Sequence, residues 1–156
     1  SFTNRFARLL RAMPVVFPLA CAQACFQPVH VEDVAQVFVS ALDRHSTHGQ
    51  RYDLCGPRSY TLRAIVEYLA HVIGVRRTVI GLGPRLSRLQ AAVLEYFPGK
   101  PFSRDNFLSL QVDSVCTSGF PAVFGLKPAS MEDVVPLYLG AARSARYSAL
   151  RRGAVR

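Results

Sequence analysis

The sequence predicts an α/β layer fold built around one core, and three observations carry that prediction. The first is the run Phe26-Gln-Pro-Val-His-Val-Glu-Asp-Val-Ala35, which joins a short apolar strand to the acidic first turn of a helix. Beyond it, strand-like and helix-like segments alternate from Arg51 to Phe97, the pattern of layered α/β folds. Finally, a chain of 156 residues, half of them hydrophobic, is long enough for one core and too short for two comfortable ones.

Phe2 to Met13 places Phe6, Leu9, Leu10 and Met13 at helical spacing with arginines between them, which predicts an amphipathic helix ended by Pro14. A strand from Phe26 to Val31 follows. Glu32 and Asp33 then open a second helix, whose one face is marked by Val34, Val37, Phe38, Ala41 and Leu42. The polar stretch Arg44 to Gln50 stops it. Arg51 to Leu54 is a strand candidate closed by Gly56-Pro57, and Thr61 is a natural N-cap for a helix from Leu62 to Ile73. Leu62, Ile65, Val66, Leu69 and Ile73 form the buried stripe of that helix, and Gly74 closes it. Arg77 to Ile80 reads as a further strand, and Pro84 suits the first position of a helix through Phe97. The later region is less regular: a helix near Ser103 to Gln111, a loop rich in Ser, Gly and Pro, and a short helix from Met131. Ser130 and Asp133 stand at capping-box spacing before it.

A net charge of +9 would ordinarily point to nucleic acid or an anionic membrane surface. Its distribution argues otherwise. Arg143, Arg146, Arg151, Arg152 and Arg156 lie beyond Ala141 with no acid among them, so the body keeps 14 of the 19 basic residues against all 10 acidic ones. The expectation is a body of residues 1–140 that binds no nucleic acid and a basic, disordered tail, 141–156, with at most peripheral membrane contact. Ser1 to Ala24 imitates a targeting signal, but Pro14 and Pro18 interrupt its apolar run, and no stretch of about 18 apolar residues is present to span a bilayer. A cytoplasmic location, at most peripheral to the inner membrane, is expected.

Cys21, Cys25, Cys55 and Cys116 form no CxxC pair, so free thiols in a reducing compartment are expected rather than a zinc site or a disulfide scaffold. His45 and His48 stand in a polar loop without further ligands, and no metal site is expected. Gly81-Leu-Gly-Pro84 lies between a strand and a helix, yet Leu86 occupies the place of the third glycine of a dinucleotide fingerprint and Pro84 lacks an N–H. An ordinary turn is the expectation. Tyr96 and Lys100 have the Tyr-x-x-x-Lys spacing, but Pro98 and Gly99 break the helix that would put them on one face. Ser59, His71 and Asp53 lack any nucleophile-elbow motif. No catalytic residue is assigned. His30 and Asp33 differ in kind, because open α/β sheets place ligand contacts where a strand leads into a helix; both also have structural roles open to them, Asp33 at the helix start and His30 in a buried hydrogen bond.

Several segments, taken in order, resemble the C-terminal half of atypical extended short-chain dehydrogenase/reductases of the epimerase/dehydratase kind. The resemblance is to the group related to the NAD(P)-binding accessory subunit of respiratory complex I. It rests on Asn4-Arg-Phe-Ala-Arg8, Phe26 to Ala35, Gly49-Gln-Arg-Tyr-Asp-Leu-Cys-Gly-Pro57, Tyr60-Thr-Leu-Arg-Ala-Ile-Val66, Leu110-Gln-Val-Asp113, Phe124-Gly-Leu126 and Met131 to Leu139. It implies the C-terminal portion of a doubly wound Rossmann fold with a small, mostly helical substrate-side lobe. It also implies NAD or NADP in the intact protein and an N-terminal Rossmann half as partner. Respiratory-complex subunits or a second copy of the chain are further partners it suggests, and a noncatalytic subunit of a respiratory NADH dehydrogenase is the alternative to an oxidoreductase or epimerase. Gln27, Pro28, Val29 and His30 would lie nearest the nicotinamide or substrate end of the cleft, with Asp33 behind them. Where relatives often carry a glycine-rich turn, this chain has Leu19-Ala-Cys-Ala-Gln-Ala-Cys25. The chain alone is expected to be inactive and to leave an unpaired strand edge and an exposed apolar face.

Overall fold

A computed structural model describes residues 2–96 and 102–139. The proposed boundary at Gly140, the basic tail, Phe97 and Lys100 lie outside them. In chain order the elements are α1 (Phe2–Ala12), β1 (Val16–Leu19), β2 (Cys25–Phe26), α2 (Val31–Asp43), β3 (Tyr60–Thr61), α3 (Leu62–Val72), β4 (Thr78–Gly81), α4 (Pro84–Leu94), α5 (Arg104–Ser109) and α6 (Met131–Leu139). Strands β1 and β4 pair in parallel, with Val16 opposite Thr78 and Leu19 opposite Gly81. A parallel pair cannot be joined by a tight turn, so the chain between them forms a crossover that includes α2 and α3. Strand β2 pairs antiparallel with β3 and bridges to Ser114 on its other side. The result is an α/β unit with the arrangement of part of a Rossmann-like fold.

Helix α3 is the centre of the core. Leu62, Ile65, Val66, Leu69 and Ala70 are buried along its length, and Val66 and Leu69 are completely enclosed. Around it pack Ala7 and Leu10 of α1, Phe17 and Leu19 of β1, Val79 of β4, and Met131, Val135 and Leu139 of α6. Its start is over-determined. Thr61 Oγ1 accepts from the Ala64 N–H at 3.1 Å, while the Leu62 and Arg63 N–H groups donate to the carbonyls of Ala24 and Ala22. Gly74, at φ +74°, ends the helix in the left-handed conformation. Ser130 and Asp133 close the capping box of α6, where the Ser130 hydroxyl meets Asp133 Oδ2 at 2.6 Å and accepts from the Asp133 N–H at 3.2 Å.

One strand stands where none is assigned from sequence, and two segments differ from the expectation. Val16 to Leu19 forms a strand despite Pro18 because the carbonyls of Val15 and Leu19 point to β4, which turns Pro18 to the open edge where no N–H is needed. The expected strand from Phe26 to Val31 ends at Phe26, since Pro28 has no donor and Gln27 directs its bonds to two loops. Arg51 to Leu54 is not a strand; Tyr60 and Thr61 take the place beside β2. On α2 only Val37 is buried, and Phe38 and Leu42 of its apolar face are 68% and 77% exposed.

The cysteine expectation is corrected: Cys55 and Cys116 form a disulfide, with Cα atoms 6.2 Å apart, and only Cys21 and Cys25 are free. Two residues 61 positions apart leave no local spacing signal, so the pairing comes from the fold alone.

Gly56 carries a packing constraint that can be measured. A Cβ built there would stand 1.8 Å from the Pro28 carbonyl oxygen, whereas Gly83 has open space and an ordinary φ of −65°. Gly56→Ala is expected to cost at least about 1–3 kcal/mol in denaturant unfolding, as overpacking does. Gly83→Ala meets no neighbouring atom and should cost only about 0.5–1 kcal/mol, from the poorer N-cap.

The tie between α6 and β3 is pH-dependent. Tyr60 Oη donates to the Glu132 carboxylate, 2.8 Å from each oxygen. Burial and this bond push the Tyr60 hydroxyl up to about 12; at Glu132 desolvation is the largest influence, and the Tyr60 bond together with the backbone, Ser130 and Arg58 outweighs it and holds the carboxyl below its ordinary value. A raised folded pKa means that the Tyr60 contribution is complete below about 10 and is lost as pH rises toward about 12. The lowered Glu132 value means that its contribution is present above the ordinary glutamate range and is lost as pH falls through the folded value. Tyr60→Phe should therefore flatten both limbs of the melting temperature against pH. Parallel wild-type and variant profiles would refute the assignment.

Candidate functional site

The carboxyl ends of β1 and β4 open on a polar cleft of about 520 Å³, the place where open α/β sheets receive ligands. After β1 the chain turns sharply at Cys21, a non-glycine residue at φ 50°, and the Ala24 N–H donates to the Cys21 carbonyl at 3.0 Å. After β4, Gly81 lets the backbone approach Ala22, whose Cβ a side chain there would meet at 2.9 Å. Gly83 then caps α4, and Pro84 begins it. Ser87, one turn into α4 and 1% exposed, joins the two strand ends: its hydroxyl accepts from the Cys21 N–H and donates to the Leu82 carbonyl, both at 3.2 Å.

The facing wall comes from the segment after α5. Gln111 Nε2 donates to Cys21 Sγ at 3.5 Å, and Asp113 Oδ1 accepts from the Cys25 N–H at 2.8 Å. Arg63, paired with Glu67 at 2.7 Å, completes the rim with Gln23. Burial raises the Cys21 thiol above its ordinary value, outweighing its hydrogen bonds to Ser87 and Gln111, so it is held as a thiol rather than as a nucleophilic thiolate. The cleft offers hydrogen-bonding groups, one guanidinium and one carboxylate. These can bind and orient a polar ligand, and the cleft contains no nucleophile with an adjacent base. Among the described residues, no three His, Cys, Asp or Glu side chains come together as metal ligands.

A second cavity, about 330 Å³ and mostly apolar, runs along the other edge of β1. Phe17, Pro18, Leu19 and Ala20 all line it in succession. Because alternate strand residues point to opposite faces, such a run marks a trough along the strand edge rather than on one face. Phe6, Leu9 and Met13 of α1 flank it, with Gln90 and Leu94 of α4. Gln90 Nε2 donates to the outward Pro18 carbonyl at 3.0 Å.

The residues expected at the cleft from sequence sit at a neighbouring joint. Gln27 is fully engaged: its N–H donates to the Ser114 carbonyl at 2.9 Å, Nε2 to the Gly56 carbonyl at 2.8 Å, and Oε1 accepts from the Cys116 N–H at 3.0 Å. Pro28 lies against Gly56, and Val29 is half-buried. His30 occupies the N-cap of α2, where its side chain makes no capping bond. Asp33 reaches across to accept from the Ala129 N–H at 2.8 Å. None of the five lines either cavity. Sequence reading passed over Cys21, Ser87, Gln111 and Asp113 as site residues. The turn at Gly81 to Pro84 and the segment Leu110 to Asp113 were the available signals for this cleft. Ser59, His71 and Asp53 all stand exposed, and Tyr96 lies in the turn after α4, 84% exposed.

No helix among the described residues is long and apolar enough to cross a membrane. No family model matches the sequence, and no curated protein matches it either. Among solved structures, the chain is similar to a nucleoside-diphosphate-sugar epimerase from Staphylococcus aureus, with a TM-score of 0.53 at 14% identity. The match covers 83% of this chain and 44% of that one, so the chain spans less than half the length of its structural neighbour. At that identity the likeness is one of fold alone: over most of its length this chain shares the partial Rossmann-like α/β arrangement of part of that structure.

Proposed function

We propose that this chain forms the substrate-side portion of an NAD(P)-dependent epimerase/dehydratase-like protein, with its polar cleft serving a nucleoside-diphosphate sugar. The observation that carries the reading is the cleft at the carboxyl ends of β1 and β4, in a fold that follows a nucleoside-diphosphate-sugar epimerase over 83% of the chain. NAD or NADP would be held by an N-terminal Rossmann half that docks along the open edge of β1. The apolar trough there supports this, as do the exposed Phe38, Val39 and Leu42 of α2 and Leu86, Leu89 and Val93 of α4, which leave apolar surface for a partner to cover. In that assembly Gln27 to Val29 and Asp33 would brace the joint beside the cofactor, and His30 would face it.

A purely binding role, such as that of a noncatalytic subunit of a respiratory complex, is favoured by one feature. The only thiol in the cleft is held protonated, and the Asp113 carboxylate is committed to a main-chain donor.

An NMR titration of the chain tests the assignment with UDP-glucose and NADH as probes. UDP-glucose at millimolar concentration should shift the amides of Gly81, Gly83, Ser87, Gln111 and Asp113, while NADH leaves them unmoved. Cleft amides indifferent to UDP-glucose, or saturable NADH binding by this chain alone, would overturn the division of labour proposed.

A further inference from the structure

We propose that the Cys55–Cys116 disulfide is a redox-reversible staple that holds the Gln111 to Cys116 wall of the cleft in place and so controls access to Cys21. The two arms of the staple are unequal. Cys55 is 2% exposed and adjoins Gly56, whose backbone is pressed against Pro28 and whose carbonyl accepts from Gln27 Nε2. That arm is packed into the body. Cys116 lies in a stretch without helix or strand between Leu110, which packs on the core, and a short 3-10 turn, Ala122–Phe124, that ends at the buried Phe124. Val112 and Val115 within it are 73% and 43% exposed, so burial contributes little to holding it.

Hydrogen bonds tie this stretch to β2 and Gln27: Ser114 N–H to the Cys25 carbonyl, Gln27 N–H to the Ser114 carbonyl, Cys25 N–H to Asp113 Oδ1, and Cys116 N–H to Gln27 Oε1. The disulfide is its one covalent tie. Gln27 and the disulfide bridge the same gap between the Gly56 loop and Cys116, one by a carboxamide and one by sulfur. Without the sulfur bridge, the wall rests on hydrogen bonds among largely exposed groups, the condition under which segments open locally. Gln111, whose amide also donates to the Phe107 carbonyl at 3.4 Å, covers one side of the half-buried Cys21 thiol, so a shift of the wall away from β1 raises the exposure of Cys21.

The reductant is a dithiol. One of its thiolates attacks a sulfur of the bridge to give a mixed disulfide, and its second thiol resolves that intermediate. Cys55 and Cys116 leave as two thiols, having gained two electrons and two protons, and the dithiol leaves as its own disulfide. The oxidised form of the dithiol restores the staple by the reverse exchange, and is itself reduced to two thiols.

The test follows alkylation of Cys21 by N-ethylmaleimide, read by peptide mass spectrometry in a Cys25→Ser background so that Cys21 is scored apart from its neighbouring thiol and, in the reduced protein, apart from Cys55 and Cys116 by its own peptide. Oxidised protein should react slowly at Cys21, and protein reduced with dithiothreitol and then desalted should react about tenfold faster, as a protecting contact is lost. A Cys55→Ala/Cys116→Ala variant should react fast with or without reductant. Amide exchange at Ser114 and Cys116 should rise with reduction while that of Leu69 in α3 stays unchanged. Equal Cys21 rates before and after reduction overturn the proposal, as do four titratable thiols in unreduced wild-type protein. Reduction of the wild type supplies the answer even if the double variant does not fold. Neither readout involves a nucleotide or a partner, so the outcome is independent of the cleft's assigned ligand.

Discussion

The parallel pairing of β1 with β4 is the constraint on which the rest of the fold depends. Parallel strands bring their carboxyl ends to the same side, so the turns that follow Leu19 and Gly81 must meet there, and the meeting creates the polar cleft. The same geometry forces a long crossover, and the crossover delivers α3 against the strands as the central core helix. Two four-residue strands would be marginal alone. They are held because Phe17, Leu19 and Val79 face the buried stripe of α3, while Ser87 bonds the two strand ends together from α4.

A second anchor lies at Gln27, where one carboxamide satisfies two loops that are distant in sequence. A half-buried amide with both ends paired is worth having, because each unpaired end would cost about 1–3 kcal/mol of desolvation. Its neighbours repeat the device. Asp33 pairs with the Ala129 N–H and Asp113 with the Cys25 N–H, so each carboxylate ties a loop that lacks regular structure to a regular element, α2 in one case and β2 in the other. The second half of the chain, poor in regular elements after α4, is thereby positioned by polar side chains that reach across to the first half, Gln27 and Asp33 from one side and Asp113 from the other. This explains why its short segments adopt a defined path over the β2 and β3 pair.

Much of the fold was legible because its signals are local. Thr61, Gly74, Pro84, Ser130 and Asp133 act within a turn of their own position, and the stripe of α3 repeats every three or four residues. What was not legible depends on partners remote in sequence. Pro18 argues against a strand unless one knows which of its sides faces β4, and Gln27 to Val31 looks like strand until its bonds are seen to leave the sheet. The apolar spacing of α2 was correct, yet periodicity reports which face is apolar and not whether anything in the chain covers it. The candidate cleft was hidden for the same reason: Cys21, Ser87, Gln111 and Asp113 converge only once β1, α4 and the segment after α5 are folded together.

The turn at Cys21 is where this chain departs from the pattern it resembles, and the departure has a physical consequence. Glycine takes the left-handed conformation without penalty, whereas a cysteine at φ 50° costs about 1 kcal/mol or more. The surroundings offset that cost. The Cys21 N–H finds the Ser87 hydroxyl, its carbonyl accepts from Ala24, and its thiol meets Gln111. A glycine would leave the first two bonds intact and remove the third, so the side chain's contribution is the link from the strand end to the opposite wall. The turn therefore does more than reverse the chain: it gives the cleft floor a half-buried thiol that contacts the same wall as the disulfide secures, and this links the sulfur chemistry of the chain to the shape of its polar cleft.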